Sequence, residues 1–332
     1  MIRIGVNGFG RIGRRLFRLI QDHNNLEIVA INDLADTKTL SHLLKYDSIH
    51  GIFDHDITYD THHIICNSNK ITLLNHAHPQ NINWSKHHVD IVIEATGKFK
   101  NTDDLEFHIK NGASKVILSV PPLHDDIKTI VLGVNHDTID GTETIISNAS
   151  CTTNNAAPMI DVINKLCGVE QAYITTVHSY TTDQSLHDQP HRDLRRARAA
   201  GQSIVPTTTG AAKALTKIFP DLSDVIGGCG IRVPVANGSL TDITFNVEKE
   251  TNIETINKAF KDASEGYLKN ILSYTNDPIV SVDIVGNTHS CIFDAGMTSV
   301  IGNMVKIIGW YDNETGYSQR IIDLICNLSI KM

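Results

Sequence analysis

The run Gly8-Phe9-Gly10-Arg11-Ile12-Gly13 constrains the fold of this chain more than any other feature. It follows the apolar strand pattern of Ile2, Ile4 and Val6. It opens a helix pattern with Ile12, Leu16, Leu19 and Ile20 on one face and arginines on the other. Glycines at these spacings recur by chance in loops, but between a strand and a helix they have a physical reading. The first permits a tight turn, the second lets backbone approach a pyrophosphate, and the third lets the helix pack closely on the strand. The helix start then offers N–H donors to phosphate oxygens. Twenty residues past Gly13, after a second buried strand pattern from Leu26 to Ile31, stands Asp33. A carboxylate there accepts hydrogen bonds from ribose hydroxyls and repels a 2′-phosphate, which favours NAD over NADP. Alone, Asp33 reads equally well as the N-cap of a helix beginning near Thr37.

The first half of the chain continues this alternation. Val89 to Ile93, Lys115 to Val120, Ile130 to Leu132 and Thr144 to Ile146 are apolar runs separated by helix-length segments. They imply an α/β, doubly wound Rossmann-type sheet, mostly parallel and covered on both faces. The texture then changes. Gly238 to Val247 alternates apolar and polar residues, as a sheet with one wet face does, and Met304 to Trp310 is a further strand candidate. Thr251-Asn252-Ile253-Glu254 reads as a capping box for a helix bearing Ile256, Ala259, Phe260 and Ala263, and residues 316–328 read as a terminal helix. The expected division is a dinucleotide-binding domain over 1–150 and an α+β catalytic domain over 151–315 with a mixed or antiparallel sheet. The boundary falls near Cys151, and interdomain clefts are where small-molecule sites concentrate.

A chain of 332 residues has room for about two domains. Its net charge of −8 gives no bulk attraction to nucleic acid or acidic membrane. The N-terminus lacks the regions of a signal peptide and no apolar run reaches bilayer-spanning length, so a cytoplasmic protein is expected. The six cysteines are scattered without a C-x-x-C pair, which suits reduced thiols better than disulfides or a zinc site. His62, His63 and Cys66 could be imagined as a metal cluster, but adjacent strand residues point to opposite faces. No metal is expected.

Cys151 lies in Ser147-Asn148-Ala149-Ser150-Cys151-Thr152-Thr153-Asn154, after an apolar run and before helix-forming sequence. A thiol at a helix start meets unpaired N–H groups and the positive end of the helix dipole, which lower its pKa and favour the nucleophilic thiolate. The commoner fate of a free cysteine is inert packing. The polar neighbours are wrong for a core, however, and the glycine motif opens the same chain. A nicotinamide cofactor with an activated thiol suggests aldehyde oxidation. A thiolate adds to the carbonyl carbon, and oxidation then leaves a thioester. That chemistry needs a base, and His178, ending the β-rich run Thr175-Thr176-Val177, is the candidate, although a single histidine among 17 is more often structural. Arg196, Arg232 and Thr207-Thr208-Thr209-Gly210 combine guanidinium groups, hydroxyls and a helix start, the chemistry of phosphate recognition. Arg192 and Arg198 fit a solvated basic face at least as well.

With these residues assembled, the whole chain resembles the phosphorylating glyceraldehyde-3-phosphate dehydrogenase family. The resemblance rests on Asn7 to Arg14, Ser147 to Asn154, Val177-His178-Ser179-Tyr180-Thr181, Pro206 to Lys213 and Trp310-Tyr311-Asp312-Asn313-Glu314, in the family's order. It implies that Cys151 is the nucleophile and His178 the base. It implies one phosphate pocket at Thr181 and Arg232, and a second, for inorganic phosphate, served by nearby Arg196 with Thr152, Thr209 and Gly210, and Ser150 alongside. Gly8, Gly10, Arg11, Ile12, Gly13, Asp33, Ser119 and Asn313 would contact NAD, with Asn313 fixing the nicotinamide carboxamide. Leu34 and Pro190 are similar to the NAD-specific members rather than the NADP-using photosynthetic ones. The substrates implied are glyceraldehyde 3-phosphate and inorganic phosphate, the pathway glycolysis, and the assembly a homotetramer. The final helix, 316–332, is expected to return to the cofactor domain.

The chain also departs from the family's pattern. Asn155 replaces a second cysteine that many relatives carry, so no thiol there can form a local disulfide with Cys151. Ala77 stands where relatives often have an arginine beside the adenine, and Val235-Ala236-Asn237-Gly238 is unusual. Two other readings compete: an erythrose-4-phosphate dehydrogenase, whose product is released by water, and a binding relative without chemistry. The tract Tyr180 to Gln184 resembles the phosphorylating enzyme more closely, and the intact Cys151 and His178 speak against a non-catalytic relative.

Overall fold

The computed structural model describes residues 1–330; Lys331 and Met332, the end of the expected final helix, lie outside the described residues. Two compact units divide the chain. The first comprises residues 1–130, 137–149 and the segment from 318 onward, and the second residues 131–136 and 150–317.

The first unit is built on a nine-stranded sheet. Its spatial order is Lys128–Thr129, Ile145–Ser147, Lys115–Leu118, Ile91–Glu94, Ile2–Asn7, Leu26–Asn32, Asn69–Leu74, His63–Cys66 and Ile57–Tyr59. The first seven are mutually parallel, His63–Cys66 runs opposite to them, and Ile57–Tyr59 pairs antiparallel with His63–Cys66. The chain starts in the middle. Leu26–Asn32 lies on one side of Ile2–Asn7 and Ile91–Glu94 on the other, so the winding reverses at this point. In such sheets ligands bind outside the carboxyl ends of the strands at the reversal. Helices α1 (Arg11–Ile20), α2 (Thr37–Lys45) and α3 (Thr102–Lys110) follow the strands, as apolar runs separated by helical periods require. Of the run Ile130 to Leu132 none is strand; pairing there is confined to Lys128–Thr129.

The second unit carries an eight-stranded mixed sheet. Val169–Ser179 lies between Ile226–Val233, parallel to it, and Ser239–Val247, antiparallel. Met304–Tyr311 pairs antiparallel with Ser239–Val247, as the alternation of apolar and polar residues leads one to expect. The helices are α4 (Cys151–Cys167), α5 (Ala211–Ile218), α6 (Ile253–Glu265) and α7 (Thr315–Ile330), whose later part belongs to the first unit. The expected capping box at α6 is displaced by one residue. Asn252, not Thr251, is the N-cap, and its Oδ1 accepts the Thr255 N–H at 2.8 Å. A carboxamide caps at least as well as a threonine hydroxyl, so local chemistry favoured the later start. The short segment 131–136 groups with this unit, although its place in the sequence suggests the first. Gly133, at φ +82°, has no room for a Cβ, which would come within 2.7–2.8 Å of Ile271 and Leu268. The unusual Gly238 has a similar explanation: φ is +91°, and a Cβ would meet the Ser281 carbonyl oxygen at 2.3 Å.

Candidate active site

The glycine turn has the geometry its spacing demands. Gly8 takes φ +95°, and a Cβ on it would collide with the Ala95–Thr96 backbone at 2.7–2.9 Å. A Cβ on Gly13 would sit 2.4 Å from the Gly8 carbonyl oxygen, so only glycine lets α1 approach the turn this closely. Gly10 faces open space and is the N-cap of α1, which has no side-chain cap and no acidic residue in its first turn. An uncapped helix start behind a glycine is suited to an anion. Asp33 does not cap α2; Asp36 does, accepting the Thr39 N–H at 2.7 Å. Asp33 instead accepts the N–H groups of Phe9 at 2.8 Å and Ala35 at 3.0 Å, which ties the end of the second strand to the glycine turn. The Arg11 guanidinium pairs with Asp47 at 2.6 and 3.1 Å, so toward a phosphate this residue offers its backbone. Ser119 is buried and gives its N–H to the Glu94 carbonyl. The set fits a dinucleotide whose phosphates lie at the α1 start and whose ribose lies at Asp33.

In the second unit Cys151 is the first residue of α4. Ser150 is the N-cap, its Oγ accepting the Thr153 N–H at 3.1 Å, and Ala149 before it holds φ +55°, a left-handed conformation that costs a non-glycine residue energy. The Cys151 Sγ lies 3.5 Å from Nε2 of His178, which is buried at the end of its strand. Strand register places His178 directly opposite Arg232. The His178 Nδ1 lies 2.7 Å from the Ser179 carbonyl oxygen and 2.6 Å from Arg232 Nη1. A protonated Nδ1 donates to the carbonyl and leaves Nε2 bare; a bare Nδ1 accepts from the guanidinium and leaves a proton on Nε2. The ring can therefore present either an acceptor or a donor beside the sulfur.

Burial and then the Arg232 and Arg196 charges push the His178 pKa down to about 3. Burial also pushes the Cys151 thiol up, with Arg232 the largest influence in the opposite direction. The helix start alone favours the thiolate, as the sequence suggests, but desolvation outweighs it in the resting site. Thiol and imidazole lie 3.5 Å apart, placed to exchange a proton.

The expected phosphate ligands are less uniform. The Arg196 Nε donates to Thr207 Oγ1 at 3.0 Å, and its Nη1 pairs with Asp183. Arg232 donates to the Ser179 carbonyl at 2.9 Å. Thr152 points inward: its hydroxyl is 2.9 Å from the Tyr311 hydroxyl, which is also 2.9 Å from Thr176 Oγ1, so Thr152 offers chiefly its backbone N–H. The Thr209 hydroxyl accepts the Ala211 N–H at 3.2 Å beside exposed Gly210, the N-cap of α5. Thr181 is partly exposed, and Arg198 pairs with Asp188 on the surface. Asn313 is held firmly. Its Oδ1 accepts from Ser179 Oγ at 2.9 Å, and from Ser239 Oγ and the Gly238 N–H at 3.2 Å each. Its amide is thereby oriented with Nδ2 as the remaining donor. Tyr311, Ser179 and Ser239 escape sequence reasoning because their partners are distant in the chain. The available signals are the motif Val177 to Thr181, which contains Ser179, and the motif in which Tyr311 and Asn313 lie two residues apart.

A glycine turn built for a dinucleotide and a helix-start cysteine touching a histidine define an NAD-dependent oxidoreductase acting on an aldehyde. Residues 2–102 match the family model for the NAD binding domain of glyceraldehyde 3-phosphate dehydrogenase, and residues 150–313 match its C-terminal domain. The chain is 51% identical over 326 residues to glyceraldehyde-3-phosphate dehydrogenase 2 of Streptomyces avermitilis, covering 97% of each protein. It is 48% identical over 332 residues to the glyceraldehyde-3-phosphate dehydrogenase of Geobacillus stearothermophilus, covering 99% of each. It is 47% identical over 333 residues to glyceraldehyde-3-phosphate dehydrogenase 1 of Bacillus cereus, covering 100% of this chain and 99% of the relative. The chain belongs to the glyceraldehyde 3-phosphate dehydrogenase family.

Proposed function

We propose that this protein converts D-glyceraldehyde 3-phosphate and inorganic phosphate to 1,3-bisphosphoglycerate with NAD, the oxidative step of glycolysis. The observation that carries the reading is the 3.5 Å contact between Cys151 Sγ and His178 Nε2 at the start of α4, with Arg232 beside the ring. Bare Nε2 takes the thiol proton as sulfur adds to the aldehyde carbon. The proton passes to the former carbonyl oxygen, and Nε2 takes it back as that carbon is oxidised. NAD, when bound, supplies the two-electron acceptor. The acyl group left on Sγ as a thioester is transferred to inorganic phosphate.

In this reading Thr181 and Arg232 bind the substrate phosphate, and nearby Arg196 serves the inorganic phosphate. The Thr152 N–H, Thr209 and Gly210 receive inorganic phosphate, and Ser150 holds the helix start on which Cys151 sits. Gly8, Gly10, Arg11, Ile12, Gly13, Asp33 and Ser119 hold the dinucleotide, and the oriented Nδ2 of Asn313 meets the nicotinamide carboxamide oxygen. Residues 1–150 with 316–332 serve the cofactor, and 151–315 the chemistry. No described helix is long and apolar enough to cross a membrane. A cytoplasmic homotetramer without a nucleic-acid partner completes the proposal, in keeping with the net charge of −8.

NADH formation from glyceraldehyde 3-phosphate, with and without inorganic phosphate, tests this. The rate should depend on phosphate; a faster, phosphate-independent rate with erythrose 4-phosphate would refute the substrate assignment. Replacing Asp33 by Ala removes the carboxylate that favours ribose hydroxyls and repels a 2′-phosphate. The ratio of kcat/KM for NAD over NADP should fall by at least about tenfold, the scale of a lost hydrogen bond to a charged group. An unchanged ratio would exclude that role for Asp33.

A further inference from the structure

Glu94 has no role in the scheme above, yet it is a buried carboxylate beside the glycine turn with four hydrogen-bond partners. It ends the strand Ile91–Glu94, faces Asn7 in register on the neighbouring strand, and is 0% exposed. One oxygen, Oε1, accepts the Thr96 N–H at 2.9 Å and the Thr96 hydroxyl. The other, Oε2, accepts Asn7 Nδ2 at 2.5 Å and lies 3.2 Å from Nε2 of His108, itself 0% exposed. The charge of this last pair can be worked out. An indole N–H only donates, and that of Trp84 points at His108 Nδ1 from 2.9 Å. Nδ1 is therefore an acceptor, the ring proton sits on Nε2, and His108 is a neutral donor. The contact is not an ion pair: Glu94 is a buried carboxylate with four donors and no cation among them.

Burying a charge in this way is costly unless hydrogen bonds replace its water, and a packing role would be met more cheaply by an apolar side chain. The donors show what the charge does instead. The Asn7 Oδ1 accepts Asn32 Nδ2 at 2.8 Å, and Asn32 is bonded to the His76 backbone through both its amide atoms, at 2.9 Å each. Through Asn7 the carboxylate orients the residue before Gly8. Through Asn32 it reaches the residue before Asp33 and the 75–78 loop. Through Thr96 it holds the turn against which Gly8 packs. These are the carboxyl ends of three adjacent parallel strands at the winding reversal. We propose that Glu94 is a positioning residue for NAD, a single buried charge that holds the glycine turn, Asp33 and the Thr96 turn in their binding arrangement, with Trp84 and His108 fixing its fourth donor.

The inference rests on NAD binding by the first unit and is independent of the substrate proposed above. In Glu94→Gln an amide N–H replaces one oxygen and faces either the Thr96 N–H or the Asn7 amide and His108, and His108 cannot turn acceptor while Trp84 holds its other nitrogen. The dissociation constant for NAD, measured by calorimetry on the full-length protein without substrate, should rise by about tenfold or more, the scale of loss when binding groups are slightly misplaced. The KM for NAD should rise with it while kcat changes less. A folded Glu94→Gln protein with NAD affinity within twofold of wild type would overturn the proposal. Wild-type protein that binds no NAD would overturn the cofactor assignment and this inference together. Should the variant not fold, hydrogen exchange on the wild-type apoprotein decides the matter. The Thr96 amide, in an exposed residue, should exchange at least about a hundredfold more slowly than an unbonded loop amide. Exchange at the free loop rate would overturn the proposal.

Discussion

Replacing Cys151 by Ala should lower kcat at least about ten-thousandfold, equivalent to about 5 kcal/mol of lost transition-state stabilisation. The loss is this large because no neighbour can take over. The Ser150 hydroxyl caps α4 through Thr153, and the Thr152 hydroxyl is turned onto Tyr311. NAD affinity should stay within a fewfold of wild type, since the glycine turn and Asp33 are untouched. Steady-state kinetics with calorimetry checks both parts, and mass spectrometry during turnover should find an acyl adduct on Cys151 of the wild type. A variant that retains more than a hundredth of wild-type activity would remove sulfur from the mechanism.

His178→Asn should depress kcat by about a hundredfold to ten-thousandfold, the range for loss of a general base. The sign of the accompanying pH effect follows from the site. Burial raises the Cys151 thiol pKa, so without an internal acceptor the reactive thiolate forms only as solution pH climbs toward that raised value. The variant's rate should therefore increase with pH across the alkaline range and its profile should shift upward relative to wild type. With His178 present, the proton moves 3.5 Å to Nε2 and the dependence is shallower. Equal pH profiles for the two proteins would assign the proton transfer to another group.

Much of this could be read from the chain because the relevant signals are local. Gly8 and Gly13 declare a turn that only glycine can make, and the alternation from Ser239 to Val247 declares a sheet with two unlike faces. Cys151 is visible because polar residues crowd a position where a strand pattern gives way to a helix. Even the one misplaced cap was local: the α6 cap fell one residue later than the pattern suggested, and of the two readings open for Asp33 the cap of α2 went to Asp36 instead. Such choices turn on small differences between neighbouring caps, which periodicity does not resolve.

What sequence alone determined is the set of elements and the chemistry available to them, since backbone conformation and helix starts depend on residues a few positions apart. Tertiary structure decided which distant groups meet. Register set His178 opposite Arg232, folding brought Ser179 and Ser239 to Asn313, and Glu94 became the centre of a buried network reaching from Asn7 to His108. It also decided the charge balance at Cys151, because burial is a property of the whole fold and here it outweighs the pull of the helix end.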